Sequence, residues 1–134
     1  MLMRMLLAAG LVAPMFSVAH ADDEQVAEGQ KLYGEYCARC HGDGGEGTKK
    51  GPPVVGKAAL PLDPPAKAKA RKSQFHTAKD VFDFVSTKMP AKKPGSLTLA
   101  QYAAIMAFDL KANGVDVSKI KVDATTAAAI VLHP

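Results

Sequence analysis

The chain is short of the residues that usually fill and staple a protein interior. It has no Trp, only 6% aromatic residues and just two Cys among 134 residues. Two cysteines exclude a disulfide-dense scaffold, and the length suits a single domain rather than a multidomain enzyme. Neither charge sign dominates, with 17 Lys and Arg against 13 Asp and Glu, which excludes an acidic disordered tail. No apolar run reaches the roughly 20 residues needed to cross a bilayer. The first 21 residues hold four of the six Met, and without them only 28 large apolar side chains remain in the other 113 positions. That is a thin core for such a length, and it leaves room for apolar mass that is not protein.

Residues 1–21 read as a secretory signal peptide. Arg4 gives the positive start, Met5 to Val18 is an apolar run broken only by Gly10, Pro14 and Ser17, and Ala19-His20-Ala21 offers a small-x-small cleavage pattern. The alternative is an uncleaved anchor, for which the run is short and contains a proline. The expectation is an exported, periplasmic protein with no transmembrane segment after cleavage. A domain is expected over 22–114, with an extension over 115–134.

Three helices are expected. The first covers about 22–36, where Val26, Gly29, Leu32, Tyr33 and Tyr36 recur at helical spacing behind an acidic start. The second covers about 78–88, begins at Thr77 and must stop near Met89, because Pro90 disfavours the α conformation before it. The third begins with a capping box of Thr98 and Gln101, bracketed by Leu97 and Tyr102, and ends at Asn113-Gly114. Residues 42–74 are rich in Gly, Pro and Lys and show no sustained period, and the tail adds a helical turn near 125–131. The fold class is all-α with long loops.

Both cysteines fall in Cys37-Ala38-Arg39-Cys40-His41. A zinc site needs a fourth ligand, and no second Cys pair supplies one. A thioredoxin-like dithiol needs a βαβ setting, which is missing. A disulfide between residues three apart is geometrically poor. Covalent attachment of haem c uses the whole pentapeptide. Two thiols three apart share a helix face and reach neighbouring vinyl groups, and His41 follows to ligate the iron.

With this motif the chain resembles the class I monohaem cytochromes c over most of 25–114. Gly29 and Tyr33 match the residues that pack the family's first helix against its last, with Ile105 and Phe108 answering them. Gly51-Pro52-Pro53-Val54-Val55-Gly56 is similar to the family's Gly-Pro loop, which makes the Pro52 carbonyl the partner of the His41 ring. The stretch 57–76 does not align. The resemblance implies a cytochrome c fold of three main helices and long loops around one covalently attached haem c. It also implies an axial Met in a loop before the last helix. Outside the leader only Met89 and Met106 remain; Met89-Pro90 fits that loop, whereas Met106 sits in an amphipathic helix. His76 and His133 are the other candidate ligands.

His and Met on both axial faces leave no open coordination position, so the implied role is a one-electron carrier and not an enzyme. Residues 22–48 carry seven acidic and two basic groups, whereas 49–93 carry eleven basic and three acidic. Lys88, Lys92 and Lys93 flank Met89, a distribution suited to steering redox partners with an acidic docking surface. No stripe of basic residues interleaved with aromatics appears, so nucleic acid is not an expected partner. Met89-Pro90 and Pro94-Gly95-Ser96-Leu97 are similar to cytochromes associated with quinoprotein alcohol dehydrogenases, which suggests such a donor. The alternatives are a cytochrome subunit of a periplasmic oxidoreductase complex and a five-coordinate haem sensor or peroxidase.

Overall fold

The computed structural model describes residues 21–134, so the leader read over 1–21 lies almost wholly outside it. Four α-helices follow in order: α1 (Ala21–Tyr36), α2 (Ala38–His41), α3 (Ala78–Lys88) and α4 (Leu99–Ala112), with a 3₁₀ turn at Thr126–Ala129. No strand occurs among the described residues, only one antiparallel bridge between Thr77 and Val131. None of the described helices is long and apolar enough to cross a membrane. The all-α expectation holds.

The helix ends follow local chemistry. The Thr98 hydroxyl accepts from the Gln101 N–H at 3.2 Å and the Thr98 N–H donates to the Gln101 side chain at 2.8 Å, which satisfies two free groups at the start of α4. Thr77 opens α3, and its N–H donates to Asp80 Oδ2 at 2.8 Å. These bonds hold the Asp80 carboxyl below its usual range. Helix α3 stops at Met89, which turns to an extended conformation ahead of Pro90. Helix α4 closes at Asn113, with Gly114 in the left-handed region at φ 84°.

Helices α1 and α4 pack backbone to backbone. A Cβ placed on Gly29 would lie 1.8 Å from the Ala104 carbonyl oxygen and 3.0 Å from Phe108 Cβ, so only glycine allows this approach. The Tyr33 and Phe108 rings meet one turn on, with centroids 5.3 Å apart. Ala104, rather than Ile105, is the residue directly beneath Gly29. Ile105 packs beside it with Leu32, Tyr33 and Ala38. A second apolar cluster lies against another face of α4, where Met106, Ala107 and Leu110 meet Phe75, Val81 and Phe82 of the α3 region.

Residues 115–134 belong to that second cluster through Val117, Val122, Ala127 and Ile130. The Gln25 side-chain amide bonds both backbone groups of Val122, at 2.7 and 2.8 Å, and so ties α1 to the tail. The 57–76 loop is organised around Arg71. Arg71 is only 6% exposed despite its charge. Its guanidinium donates to the Pro61 and Leu62 carbonyls and to the Ser73 carbonyl, and stacks on the Phe75 ring.

Gly29→Ala is expected to destabilise the protein by about 1–3 kcal/mol or more, the usual cost of overpacking, measured by urea denaturation. Gly34, on the same helix with open space around it, serves as the control. Gly34→Ala is expected to be neutral or to stabilise by up to about 1 kcal/mol.

Candidate functional site

Helix α1 ends at Tyr36, and the chain turns at Cys37 into the single turn of α2. The Cys40 and His41 N–H groups both donate back to the Cys37 carbonyl, at 3.1 and 3.0 Å. The Tyr33 hydroxyl donates to the Gly42 carbonyl at 2.7 Å, which fixes the far end of the motif to α1. Burial raises the Tyr33 phenol well above its ordinary range, with Asp109 adding to the effect.

The His41 ring has its Nδ1 2.7 Å from the Pro52 carbonyl oxygen. A carbonyl can only accept, so Nδ1 carries the proton and Nε2 is left as a lone-pair donor. The loop comes close to the ring because residue 51 is glycine: a Cβ there would sit 3.1 Å from His41 Cε1 and Nδ1 and 2.9 Å from the Cys40 carbonyl. Asn113, at the end of α4, holds the same loop from the other side. Its amide donates to the Val54 carbonyl at 2.8 Å and accepts from the Gly56 N–H at 3.0 Å. The sequence pattern marks Asn113 only as a helix stop.

Cys37, Val85, Met89, Pro90, Leu97, Tyr102 and Ile105 line one apolar cleft. Met89 enters it from the end of α3 with its backbone pinned on both sides. Its N–H donates to the Val85 carbonyl at 3.0 Å, and its carbonyl accepts from the Tyr102 hydroxyl at 2.6 Å and the Gly95 N–H at 3.2 Å. Tyr102 also accepts from the Leu97 N–H at 3.3 Å, so it locks both ends of the 89–97 loop. The sequence pattern points to its ring alone and gives no sign of this role for the hydroxyl. Met106 lies elsewhere, 1% exposed in the second apolar cluster. His76 is exposed and pairs with Gln74, and His133 bonds the Leu60 carbonyl.

Burial, aided by Asp109 and Cys40, pushes the Cys37 thiol up to about 12. A thiol held protonated is a poor zinc ligand and a poor redox nucleophile. Among the described residues no group of three His, Cys, Asp or Glu side chains is placed to hold a metal ion. The same thiol, set on an apolar cleft that Met89 shares, with a neighbouring imidazole whose Nε2 is free, fits an apolar group that carries its own metal. Asp109 also belongs to this region. It is 8% exposed, its Oδ1 meets no donor, and burial raises its carboxyl to about 7.

Residues 24–108 match the family described as cytochrome C oxidase, cbb3-type, subunit III. A thiosulfate dehydrogenase of Stutzerimonas stutzeri (strain A1501) is 32% identical over 88 residues, which are 62% of this chain and 26% of that protein. The sulfane dehydrogenase SoxCD of Paracoccus pantotrophus contains a chain that matches 80% of this one with TM-score 0.60 and 28% identity. This chain spans about a quarter of the first relative's length and 52% of the second's.

Tyr102→Phe removes one donor and one acceptor from the 89–97 loop and is expected to cost about 1–2 kcal/mol in urea denaturation. Asp109→Asn is expected to act in a pH-dependent way. Folding raises the Asp109 pKa, so its favourable contribution is present in acid and is lost as pH rises through about 7. At pH near 4 the two proteins should therefore be similar in stability. At pH near 8 the Asn variant should be the more stable, by on the order of 2–4 kcal/mol on the conversion of a pKa shift to free energy.

Proposed function

The chain belongs to this family of c-type cytochromes, which carry covalently bound haem c, and from that premise we propose that it is a periplasmic one-electron carrier with a single His/Met-ligated haem. When bound, the haem supplies a one-electron couple at its iron. The residues of the chain tether it, orient its ligands and keep water out. The observation that carries the reading is the shared cleft: Cys37 and Met89 line it together, beside a His41 whose ring is already fixed by Pro52.

Cys37 and Cys40 provide the two thiols for thioether bonds. Pro52 holds His41 Nδ1–H, which orients the ring and leaves Nε2 as the nitrogen that would hold the iron. Met89 would hold it through its thioether, from a backbone position that Tyr102 and Val85 fix. Val85, Leu97 and Ile105 form the apolar wall that excludes water. Were His41 and Met89 both to hold the iron, the chain would leave no position for substrate, and the protein's task would be electron exchange.

Lys88, Lys92 and Lys93 are exposed beside Met89, and Lys49 and Lys50 are exposed beside Gly51. Among the described residues the ion pairs are Lys79 with Asp83 and Lys111 with Asp23, so these five lysines are free to meet a partner. They suit redox proteins with an acidic docking surface, with association slowing as salt rises. The relatives are dehydrogenases named for sulfur compounds. They favour a donor of that kind over the quinoprotein alcohol dehydrogenase suggested by the 89–97 segment.

Those relatives are longer proteins, and they favour a second reading in which this chain is the cytochrome subunit of a dehydrogenase complex. Size-exclusion chromatography of the native protein separates the two: a free carrier elutes as a small monomer, a subunit with a large companion.

Met89→Ala is expected to abolish the sulfur-to-iron charge-transfer band of the oxidised protein and to let the reduced protein bind carbon monoxide rapidly. Met106→Leu should leave both properties as in the wild type. Rapid, complete carbon monoxide binding by the wild type would instead support an open-iron sensor or peroxidase.

A further inference from the structure

Electron exchange as described makes no use of Asp109, the buried carboxylate among the described residues. It lies on α4 one turn after Ile105 and one turn before Asn113, and residues four apart share a helix face. Ile105 lines the cleft with Cys37 and Met89. Asn113 grips the loop that carries Pro52. Asp109 therefore sits on the same stripe of α4, between the residue that lines the cleft and the one that grips the loop, with its carboxyl near Tyr33 and Cys37.

The groups that face it are few. From α1 comes the Tyr33 phenol, whose proton is held more tightly by burial and then by Asp109. From the junction of α1 and α2 comes the Cys37 thiol, also affected by Asp109, which ceases to titrate once it forms a thioether. The 51–56 loop contributes no titratable side chain. Burial alone accounts for the condition of the Asp109 carboxyl, with no compensating cation among the described residues, and Oδ1 has no hydrogen-bond partner. A carboxyl so placed is poised between its two protonation states near neutral pH, where a change of one unit of nearby charge decides which form it takes.

We propose that Asp109 exchanges a proton in step with electron exchange at the haem, an inference that rests on the electron-carrier reading. On reduction, one electron enters from the donor protein, and the Asp109 carboxylate takes one proton from water to become the acid. On oxidation, the electron leaves to the acceptor and the same O–H bond breaks, returning the proton to water. The physical link is electrostatic: the oxidised iron carries one more positive charge than the reduced iron, which favours the carboxylate across a poorly screened interior.

The test is the midpoint potential of the holoprotein, followed by spectroelectrochemistry from about pH 5 to pH 9. Wild type is expected to fall in potential as pH rises through neutrality. The limiting slope is about 59 mV for each tenfold change in proton activity, the value for one electron. Asp109→Asn, which cannot ionise, should flatten the curve in that range. An undiminished slope in the Asn variant, or a flat wild-type curve, would overturn the proposal. Should the variant not fold, the reduced-minus-oxidised infrared difference spectrum of wild type decides the same question. A protonated-acid carbonyl band that shifts in heavy water supports the coupling, and its absence refutes it. A holoprotein with no reversible haem wave at all would sink the carrier reading itself, an outcome distinct from a reversible wave that ignores pH.

Discussion

Everything in this molecule hangs on the contact of two helix backbones at Gly29. Because residue 29 has no side chain, α1 comes against the Ala104 carbonyl of α4. That approach brings Tyr33 onto Phe108 and delivers the end of α1, with Cys37, to the face of α4 that carries Ile105. A methyl group at residue 29 would push the helices apart and carry the Cys37–His41 motif away from the wall of α4. Interiors are packed tightly enough that such a shift is not absorbed locally.

From that contact outward, α4 serves as a partition. One face meets α1 and the Cys37–His41 motif; another meets α3 and the tail. Met89 leaves α3 on the second side and is turned toward the first by Tyr102, a residue of α4 itself. The two candidate axial residues thus belong to separate halves of the chain, His41 following α1 and Met89 following α3, and each is aligned by a bond to a backbone carbonyl. His41 closes the turn of α2 and Met89 follows the last residue of α3, while Lys49, Lys50, Lys92 and Lys93 stand exposed in the loops.

How much of this is legible in the sequence follows from the range of each interaction. The caps at Thr77 and Thr98, the stop before Pro90 and the close at Asn113-Gly114 all depend on neighbours within a few residues, and the structure has them where the pattern puts them. The motif at 37–41 and the pairing of its histidine with Pro52 are also legible, the latter through family resemblance rather than spacing. Three features are not. Asn113 with Gly56, Gln25 with Val122, and Arg71 with Pro61 and Leu62 all join a side chain to backbone groups. A backbone partner has no residue type, and the first two bonds span 57 and 97 positions. Asp109 is hidden for another reason: it looks like an ordinary charged residue of an amphipathic helix, and only its burial marks it out.

The grip of Asn113 on Val54 and Gly56 joins two events that would otherwise be independent. The last turn of a helix is where fraying begins, and here that turn holds the loop whose Pro52 steadies the His41 ring. Loosening of the α4 terminus would therefore free the loop at the same moment. Amide exchange at Gly56 should then run at the pace of the final α4 residues, although the two lie far apart in the chain. The orientation of His41 becomes as durable as one helix end.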